Sequence, residues 1–240
     1  MTIKKAIILA GGEGSRLLPL TLEIPKPLIT IKKKPLINYN VDLFLRYGIE
    51  NILVIIKPSH RKDYDRWLAE HEKEFSTAKI EIVEESEPMG TFGYIFNHLG
   101  GWMWGGDIFV TNGDDIKTID LGGMAAFHAR TGRAATVALM RMDKPDDYGT
   151  VLVEQDSIIE FLEKTPQAES GLVSAGMYIL SLSAIEHVRP SIAKDRKVLS
   201  FEKDFFPSLA KAKKLGGFFS EGKFYDCGTF ERWEQAIREV

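Results

Sequence analysis

Apolar positions alternate between two periodicities along the first half of the chain. Ala6, Ile7, Ile8 and Leu9 form a run long enough for one buried strand. Ile37, Val41, Phe44 and Leu45 then fall on one helical face that stops at Gly48, a residue suited to a helix C-cap. Residues 52–56 predict a second buried strand, Tyr64, Trp67 and Leu68 the next helix, and residues 80–83 the next strand. Phe92, Ile95, Phe96 and Leu99 keep the spacing of an amphipathic helix, and residues 108–111 are again strand-like. Such alternation is the signature of βαβ construction and predicts an α/β fold.

Beyond Asp114 the texture changes. Strands are predicted at 136–140, 149–153, 158–162 and 175–180, with short connections. Helices follow around Phe201, Phe205 and Leu209, and around Trp233, Ala236 and Ile237. This half reads as an extension of the same sheet that holds a second substrate. No repeat, low-complexity tract or Pro/Ser linker interrupts the chain, so residues 1–240 are expected to form a single domain, with halves of about 1–115 and 116–240. Lys32, Lys33 and Lys34 are expected in a solvated turn.

Composition narrows the function. A chain of 240 residues buries one sizeable core. With 31 Lys and Arg against 34 Asp and Glu, it has no global basicity to attract nucleic acid or an anionic membrane. An anionic ligand must be held by a local cationic pocket. The one cysteine, Cys227, excludes an internal disulfide framework and a Cys-rich zinc site, and reads as a packing residue. The N-terminal apolar run is too short for a leader, and nothing approaches the ~20 apolar residues of a membrane span. A cytoplasmic protein is expected. The five histidines are scattered and read as structural.

The chemistry concentrates where the first strand ends. Leu9, Ala10, Gly11, Gly12, Glu13, Gly14, Ser15, Arg16 and Leu17 are followed by Pro25, Lys26, Pro27 and Leu28. A strand that opens into a glycine-rich turn presents backbone amides to phosphate. Gly12-x-Gly14 begins a dinucleotide fingerprint, but Leu17 stands at the third glycine position and Pro19 interrupts a helix. No Gly-Lys-Ser/Thr follows, so the loop is not a P-loop. Arg16 and Lys26 add cations that a turn needed only for shape does not require. The combination points to chemistry on a nucleoside triphosphate. Asn112, Gly113, Asp114 and Asp115 lie past another strand, at the end where open α/β sheets bind ligands.

The run from Leu9 to Thr21, with Pro25 to Leu28, resembles the signature of the sugar-1-phosphate nucleotidyltransferases, in particular short single-domain guanylyltransferases acting on mannose 1-phosphate or D-glycero-D-manno-heptose 1-phosphate. The resemblance implies a Rossmann-like three-layer α/β/α fold with a mixed central sheet. It implies an enzyme that joins a nucleoside triphosphate (NTP) to a sugar 1-phosphate, releasing pyrophosphate. By it, Arg16 would neutralise the triphosphate and the leaving pyrophosphate, and Lys26 would contact phosphates at the reacting centre. Leu9, Ala10, Gly11, Gly12, Asn112 and Gly113 would receive the nucleotide. Asp114 would ligate Mg²⁺ with Asp226, which lies in Phe224-Tyr-Asp-Cys-Gly-Thr229, and two carboxylates suffice for that ion. Asp115 is expected to be structural or to support the ligands.

On the sugar side, Phe161-Leu-Glu163-Lys164 resembles the family's Phe-x-Glu-Lys-Pro motif, with Thr165 inserted before Pro166. Glu163 would accept hydrogen bonds from sugar hydroxyls, and Lys164 would hold the sugar phosphate. Tyr148-Gly149 fits the sugar-side loop, and Ser174-Ala-Gly176 stands where the family has Asn-Ala-Gly. Glu85, with Gly90 and Thr91 after it, resembles a base-reading segment. A carboxylate only accepts, and guanine offers two adjacent donors where uracil and thymine offer one, so GTP is favoured. The stretch from Ser200 to Asp204 leans toward a heptose.

Other readings compete. One is uridylyl, thymidylyl or cytidylyl transfer to another sugar or to a phosphocholine-type phosphate, for which Trp102 and Trp104 could supply aromatic faces. Another is a non-catalytic nucleotide-sugar-binding regulator, which should have lost Arg16, Lys26 or an aspartate. An NAD-dependent enzyme is disfavoured by Leu17 and the two cations. A sugar phosphate oxygen is already anionic at pH 7, so in-line displacement at the α-phosphorus needs positioning and electrostatics rather than a general base. Several relatives dimerise, so a homodimer is allowed, though no surface in the sequence identifies it. No room is expected for the C-terminal modules of longer relatives.

Overall fold

The computed structural model describes residues 2–103, 105–142, 150–162, 171–193 and 195–240. The first half runs β1 (Lys5–Leu9), α1 (Leu20–Glu23), a hairpin of β2 (Thr30–Ile31) and β3 (Lys34–Pro35), α2 (Leu36–Arg46), β4 (Asn51–Ile56), α3 (Arg61–Glu70), β5 (Lys79–Glu84), α4 (Gly90–His98) and β6 (Ile108–Asn112). The second half runs β7 (Asp115–Lys117), α5 (Leu121–Thr131), β8 (Ala135–Arg141), β9 (Thr150–Glu154), β10 (Ser157–Leu162), β11 (Leu172–Leu180) and α6 (Leu182–Val188). A π-helical turn (Phe201–Phe205) then leads into α7 (Phe206–Lys211), β12 (Leu215–Phe219), β13 (Phe224–Asp226) and α8 (Phe230–Glu239).

Nine strands form one sheet in the order β5-β4-β1-β6-β11-β8-β12-β10-β9. The first four are mutually parallel, and β11 enters antiparallel beside β6, so the sheet is mixed. Side chains alternate across it. Ile7, Leu53, Ile55, Ile108 and Val110 pack toward α4, α6 and α7. Ala6, Ile8, Ile52, Val54 and Phe109 pack toward α2, α3 and α5. Both faces are covered by helices, which is why β1, β4 and β6 read as nearly unbroken apolar runs, while the edge strand β5 is interrupted by Glu81. The expected α/β/α architecture is present, and the second half does continue the same sheet.

Several elements escaped the periodicity. In α5, Leu121, Met124 and His128 are buried, but Gly122 and Gly123 dilute the stripe. The helix is set instead by Asp120, whose side chain accepts from the Gly123 amide at 3.0 Å. Helix α6 and the short strands β2, β3, β7 and β13 also went unpredicted. Strand β12 is masked by two glycines. A Cβ on Gly217 would stand 2.9 Å from Leu139 Cδ1, so the missing side chain is what lets β12 lie against β8. The solvated turn is formed by Lys32 and Lys33, which adopt φ of 49° and 69°, the left-handed pair a two-residue hairpin demands, whereas Lys34 is half-buried in β3 and pairs with Asp42.

Strand β11 carries the irregularity that matters for the site. Ser174 pairs with Leu139 and Tyr178 with Val137, so three residues on β11 bulge against one on β8. At the bulge, Gly176 has φ 62°, and a Cβ there would stand 2.7 Å from Asn112 Nδ2.

Candidate active site

The C-terminal ends of β1, β4, β5 and β6 open onto a cleft of about 660 Å³. Its walls hold Leu9, Ala10, Gly11, Gly12, Lys26, Glu85, Gly90, Thr91, Asn112 and Asp114, drawn from segments far apart in the chain. Each arrives for a local reason. Ala10 prolongs β1 by donating to the Ile55 carbonyl at 2.8 Å, and the Tyr64 hydroxyl donates to the Ala10 carbonyl at 3.3 Å. Gly14 then turns the chain with φ 63°, and a Cβ there would press on Thr21 Cγ2 at 2.8 Å. Gly113 lies just behind the wall, its amide bonded to the Leu9 carbonyl at 2.9 Å. A Cβ on it would meet Ile8 Cγ2 at 2.9 Å, so only glycine lets β6 turn this close to β1.

Lys26 is buried, and its ammonium lies 2.6 Å from Asp114 Oδ2. Arg16 sits elsewhere. It is exposed, beyond the cleft wall, with its guanidinium over Gly228 beside Asp226. A Cβ on Gly228 would stand 2.7 Å from Arg16 Nη2 and 2.8 Å from Asp226 Oδ1, so this glycine makes room for both groups.

Glu85 faces the cleft at the end of β5. Its Oε1 accepts from the Met89 amide at 3.0 Å, and its Oε2 lies 3.4 Å from where a Gly11 Cβ would stand. Burial raises its pKa above the usual carboxylate value, while the Met89 amide and Lys57 pull the other way. Lys57, one residue past β4, also pairs with Glu13 in the glycine loop. No motif in the sequence marks it, although a cation at a parallel strand end carries the same signal as Asp114 does.

The rim past Glu85 is built from aromatic packing. Phe92 lies 4.3 Å from Phe205 and 5.0 Å from Phe201, which stacks on Phe206. Burying each such ring stabilises by roughly 1.5–3 kcal/mol. The Thr91 hydroxyl joins the same interface, accepting from the Phe201 amide at 3.0 Å and donating to Glu202 at 3.3 Å. Thr91 therefore lines the cleft with its hydroxyl committed to the π-helical turn.

Strand β13 pairs antiparallel with β7, setting Asp226 opposite Asp115, the residue that follows Asp114. Asp226 Oδ2 is 2.6 Å from Arg232 Nη1 on α8. Asp115 is buried, and its carboxyl is pushed up to about 7 by desolvation, against the attraction of Lys117. Among the described residues no group of three or more His, Cys, Asp or Glu is placed to hold a metal. The Asp114 and Asp226 carboxylates do fit Mg²⁺. They are hard oxygen donors, each already facing a cation, and that ion keeps its remaining positions for phosphate oxygens and water. Cys227 is buried and packs as expected.

Of the residues expected to face the sugar, Ser174 leads into the β11 bulge, where its Oγ accepts from the Gly176 amide at 3.4 Å. Tyr148, Gly149, Glu163, Lys164, Thr165, Pro166 and Trp104 lie outside the described residues. Trp102 packs under Lys5, whose ammonium is 5.3 Å from the ring centre and donates to the Trp102 carbonyl at 2.7 Å. No helix among the described residues is long and apolar enough to cross a membrane.

Known proteins resemble this chain in sequence and in fold. A fission yeast (Schizosaccharomyces pombe) mannose-1-phosphate guanyltransferase is 33% identical over 231 residues, covering 93% of this chain and 61% of the relative. The Xenopus tropicalis mannose-1-phosphate guanylyltransferase catalytic subunit beta is 31% identical, covering 93% and 61%. The chain thus spans about 61% of the length of these curated relatives. Among solved structures, a Bacillus anthracis protein assigned as a glucose-1-phosphate thymidylyltransferase superposes with a TM-score of 0.86 at 23% identity, over 98% of this chain and 96% of that one. The UTP-bound UDP-glucose pyrophosphorylase of Acinetobacter baumannii superposes at 0.80 and 21% identity, over 98% and 92%. At such identities the structures speak for the fold alone. The family model described as Nucleotidyl transferase matches residues 5–240, nearly the whole chain, and the protein belongs to that family.

Proposed function

We propose that this protein transfers a nucleoside monophosphate from an NTP to a sugar 1-phosphate, with GTP and a mannose-type or manno-heptose 1-phosphate as the preferred pair. The observation that carries the reading is the convergence of Gly11, Gly12, Lys26, Glu85, Asn112 and Asp114 on one cleft, with Lys26 2.6 Å from Asp114. Residues of about 1–115 and 116–240 act as the nucleotide and sugar-phosphate halves of one catalytic domain. The compartment that goes with this reading is the cytoplasm.

The loop from Leu9 to Gly12 receives the nucleotide against backbone, and Glu85 accepts the two donors of a guanine edge. An oxygen of the sugar phosphate attacks the α-phosphorus, the α–β phosphoanhydride bond breaks, and the electron pair leaves with pyrophosphate. The nucleophile is already anionic, so the protein's task is to hold two polyanions together and offset their charge. Lys26 does so at the cleft wall and Arg16 toward the leaving pyrophosphate. Asp114 and Asp226 would hold Mg²⁺, which supplies charge neutralisation between the phosphate groups when bound.

Pyrophosphate release from a matrix of the common NTPs against sugar 1-phosphates, with and without Mg²⁺, tests the assignment. The expected result is activity that needs Mg²⁺ and is highest with GTP and a mannose-type 1-phosphate. Uridylyl or thymidylyl transfer would correct the base, and silence with every pair would leave a nucleotide-sugar-binding regulator.

A further inference from the structure

Strand β7 follows the Asn112–Asp114 turn directly, and alternation puts Asp115 and Lys117 on the same inward face. The Lys117 side chain is 0% exposed. Its ammonium lies 2.5 Å from Asp115 Oδ1, 2.7 Å from Thr111 Oγ1, 3.3 Å from the Gly176 carbonyl oxygen and 3.5 Å from the Asn112 carbonyl oxygen. Thr111 Oγ1 in turn donates to the Gly176 carbonyl at 3.0 Å. One buried cation therefore joins the end of β6, the start of β7 and the bulge of β11.

Desolvating an ammonium is costly, and well-packed apolar side chains of similar volume often serve stability as well or better. The choice of lysine makes sense from what those three strands carry. β6 ends in Asn112 and delivers Asp114 to the cleft, and the β11 bulge carries Ser174. Strand β7 is the partner of β13, which bears Asp226. Each carboxylate of this ribbon has its own cation: Lys26 for Asp114, Lys117 for Asp115 and Arg232 for Asp226. The outer two carboxylates are 37% and 15% exposed, within reach of an incoming ion, whereas the Lys117 pair is sealed.

We propose that Lys117 is a positioning residue: its ammonium fixes the spacing of Asp114 and Asp226 and ties the nucleotide half of the cleft to the sugar-side bulge. The proposal rests on the reading of Asp114 and Asp226 as a divalent-cation pair. It acts through those carboxylates, and Lys117 itself touches no substrate.

The test compares the wild-type chain with Asp115→Asn/Lys117→Met, which removes both buried charges while keeping volume, and with Thr111→Val, which removes one acceptor of the ammonium. Thermal unfolding reports the fold, electron paramagnetic resonance reports Mn²⁺ uptake in the presence of each common NTP, and pyrophosphate release gives the Mg²⁺ half-saturation and kcat. The double variant should fold, bind metal-free NTP as the wild type does, and take up Mn²⁺ ~10–100-fold more weakly, the scale of losing a group that orients metal ligands. Thr111→Val should move the same readout less, and decides the matter where the double variant is too unstable to assay. Wild-type Mn²⁺ affinity and Mg²⁺ half-saturation in a folded variant would overturn the proposal, as would a wild-type chain that takes up no Mn²⁺ with any NTP. A wild type that binds Mn²⁺ yet releases no pyrophosphate removes the proposed transferase reading and leaves Lys117 to be judged by Mn²⁺ uptake alone.

Discussion

In the proposed reaction, Arg16 and Lys26 would divide the cationic work by their surroundings. Lys26 is buried against Asp114, whereas the exposed Arg16 lies over Gly228 at the other carboxylate. Arg16→Ala should lower kcat by ~10² or more, the scale of losing a preorganised charge contact. Arg16→Lys should recover only part, because an ammonium lacks the planar fork. Steady-state pyrophosphate release decides both, and an unchanged kcat in Arg16→Ala sinks the assignment. Glu85 makes a second claim. Replacing it by Gln exchanges one of two acceptors for a donor, so the preference for GTP over UTP should narrow by ~10-fold or more, the worth of one hydrogen bond to a charged group. Burial holds the Glu85 carboxyl above the usual carboxylate pKa. On acidification it therefore protonates before exposed carboxylates do, and GTP selectivity should begin to fall at a higher pH than exposed carboxylates would dictate. Competition between GTP and UTP across pH reads this directly.

At the level of elements, the termini of two helices are where site and scaffold meet. Thr229 caps α8, accepting from the Arg232 amide at 3.3 Å, and the same helix carries the guanidinium that faces Asp226. Thr229→Ala should cost about 1 kcal/mol, measured as a lower urea midpoint with unchanged slope. Gly90 opens α4 with φ 74°, and a Cβ there would stand 2.4 Å from the Leu199 carbonyl oxygen. Gly90→Ala should destabilise by about 1–3 kcal/mol, since neither the backbone nor that carbonyl can yield cheaply. These same elements mark how far the sequence could be read. Helices α2, α3 and α4 were legible because their apolar faces recur at helical spacing, β1, β4 and β6 because burial on both faces leaves nearly unbroken apolar runs, and the edge strand β5 from Ile80, Ile82 and Val83. Helix α5 and strand β12 were hidden by glycine pairs, the first packed on the capping Asp120 and the second on side chains of β8 and its neighbours, distant in sequence. Asp114 announced itself as a charge at a strand end, and Lys26 and Glu85 through the motifs that carry the family resemblance. Lys117 did not: its reasons are Thr111 and Gly176, and no spacing within β7 points to them.

For the molecule as a whole, Cys227 offers a probe of whether the two halves open together. It is buried in a small cluster with Leu17 from the glycine loop, Ile31 from the β2–β3 hairpin, Leu36 from α2, Ile116 from β7 and Ala236 from α8. That cluster fastens the loop bearing Arg16 to the ribbon bearing Asp226, so it cannot come apart without disturbing the candidate site. Burial pushes the thiol up to about 12, with Asp115, Asp226 and Asp114 acting in the same direction and Lys26 against them. The shift is upward, so at pH 8 the folded protein holds a neutral thiol where an unfolded chain, with an ordinary pKa near 8.5, already offers some thiolate. Labelling by an aromatic disulfide reagent should therefore wait for opening of the cluster. A ligand that binds only the closed form reduces the open population by a factor of 1 + [L]/Kd, so GTP with Mg²⁺ at ~100 times Kd should slow labelling ~100-fold. If saturating nucleotide leaves the rate unchanged, the cluster opens independently of the cleft. Slowing by nucleotide alone, with a further slowing on adding sugar 1-phosphate, would mean that both halves close on the same small core.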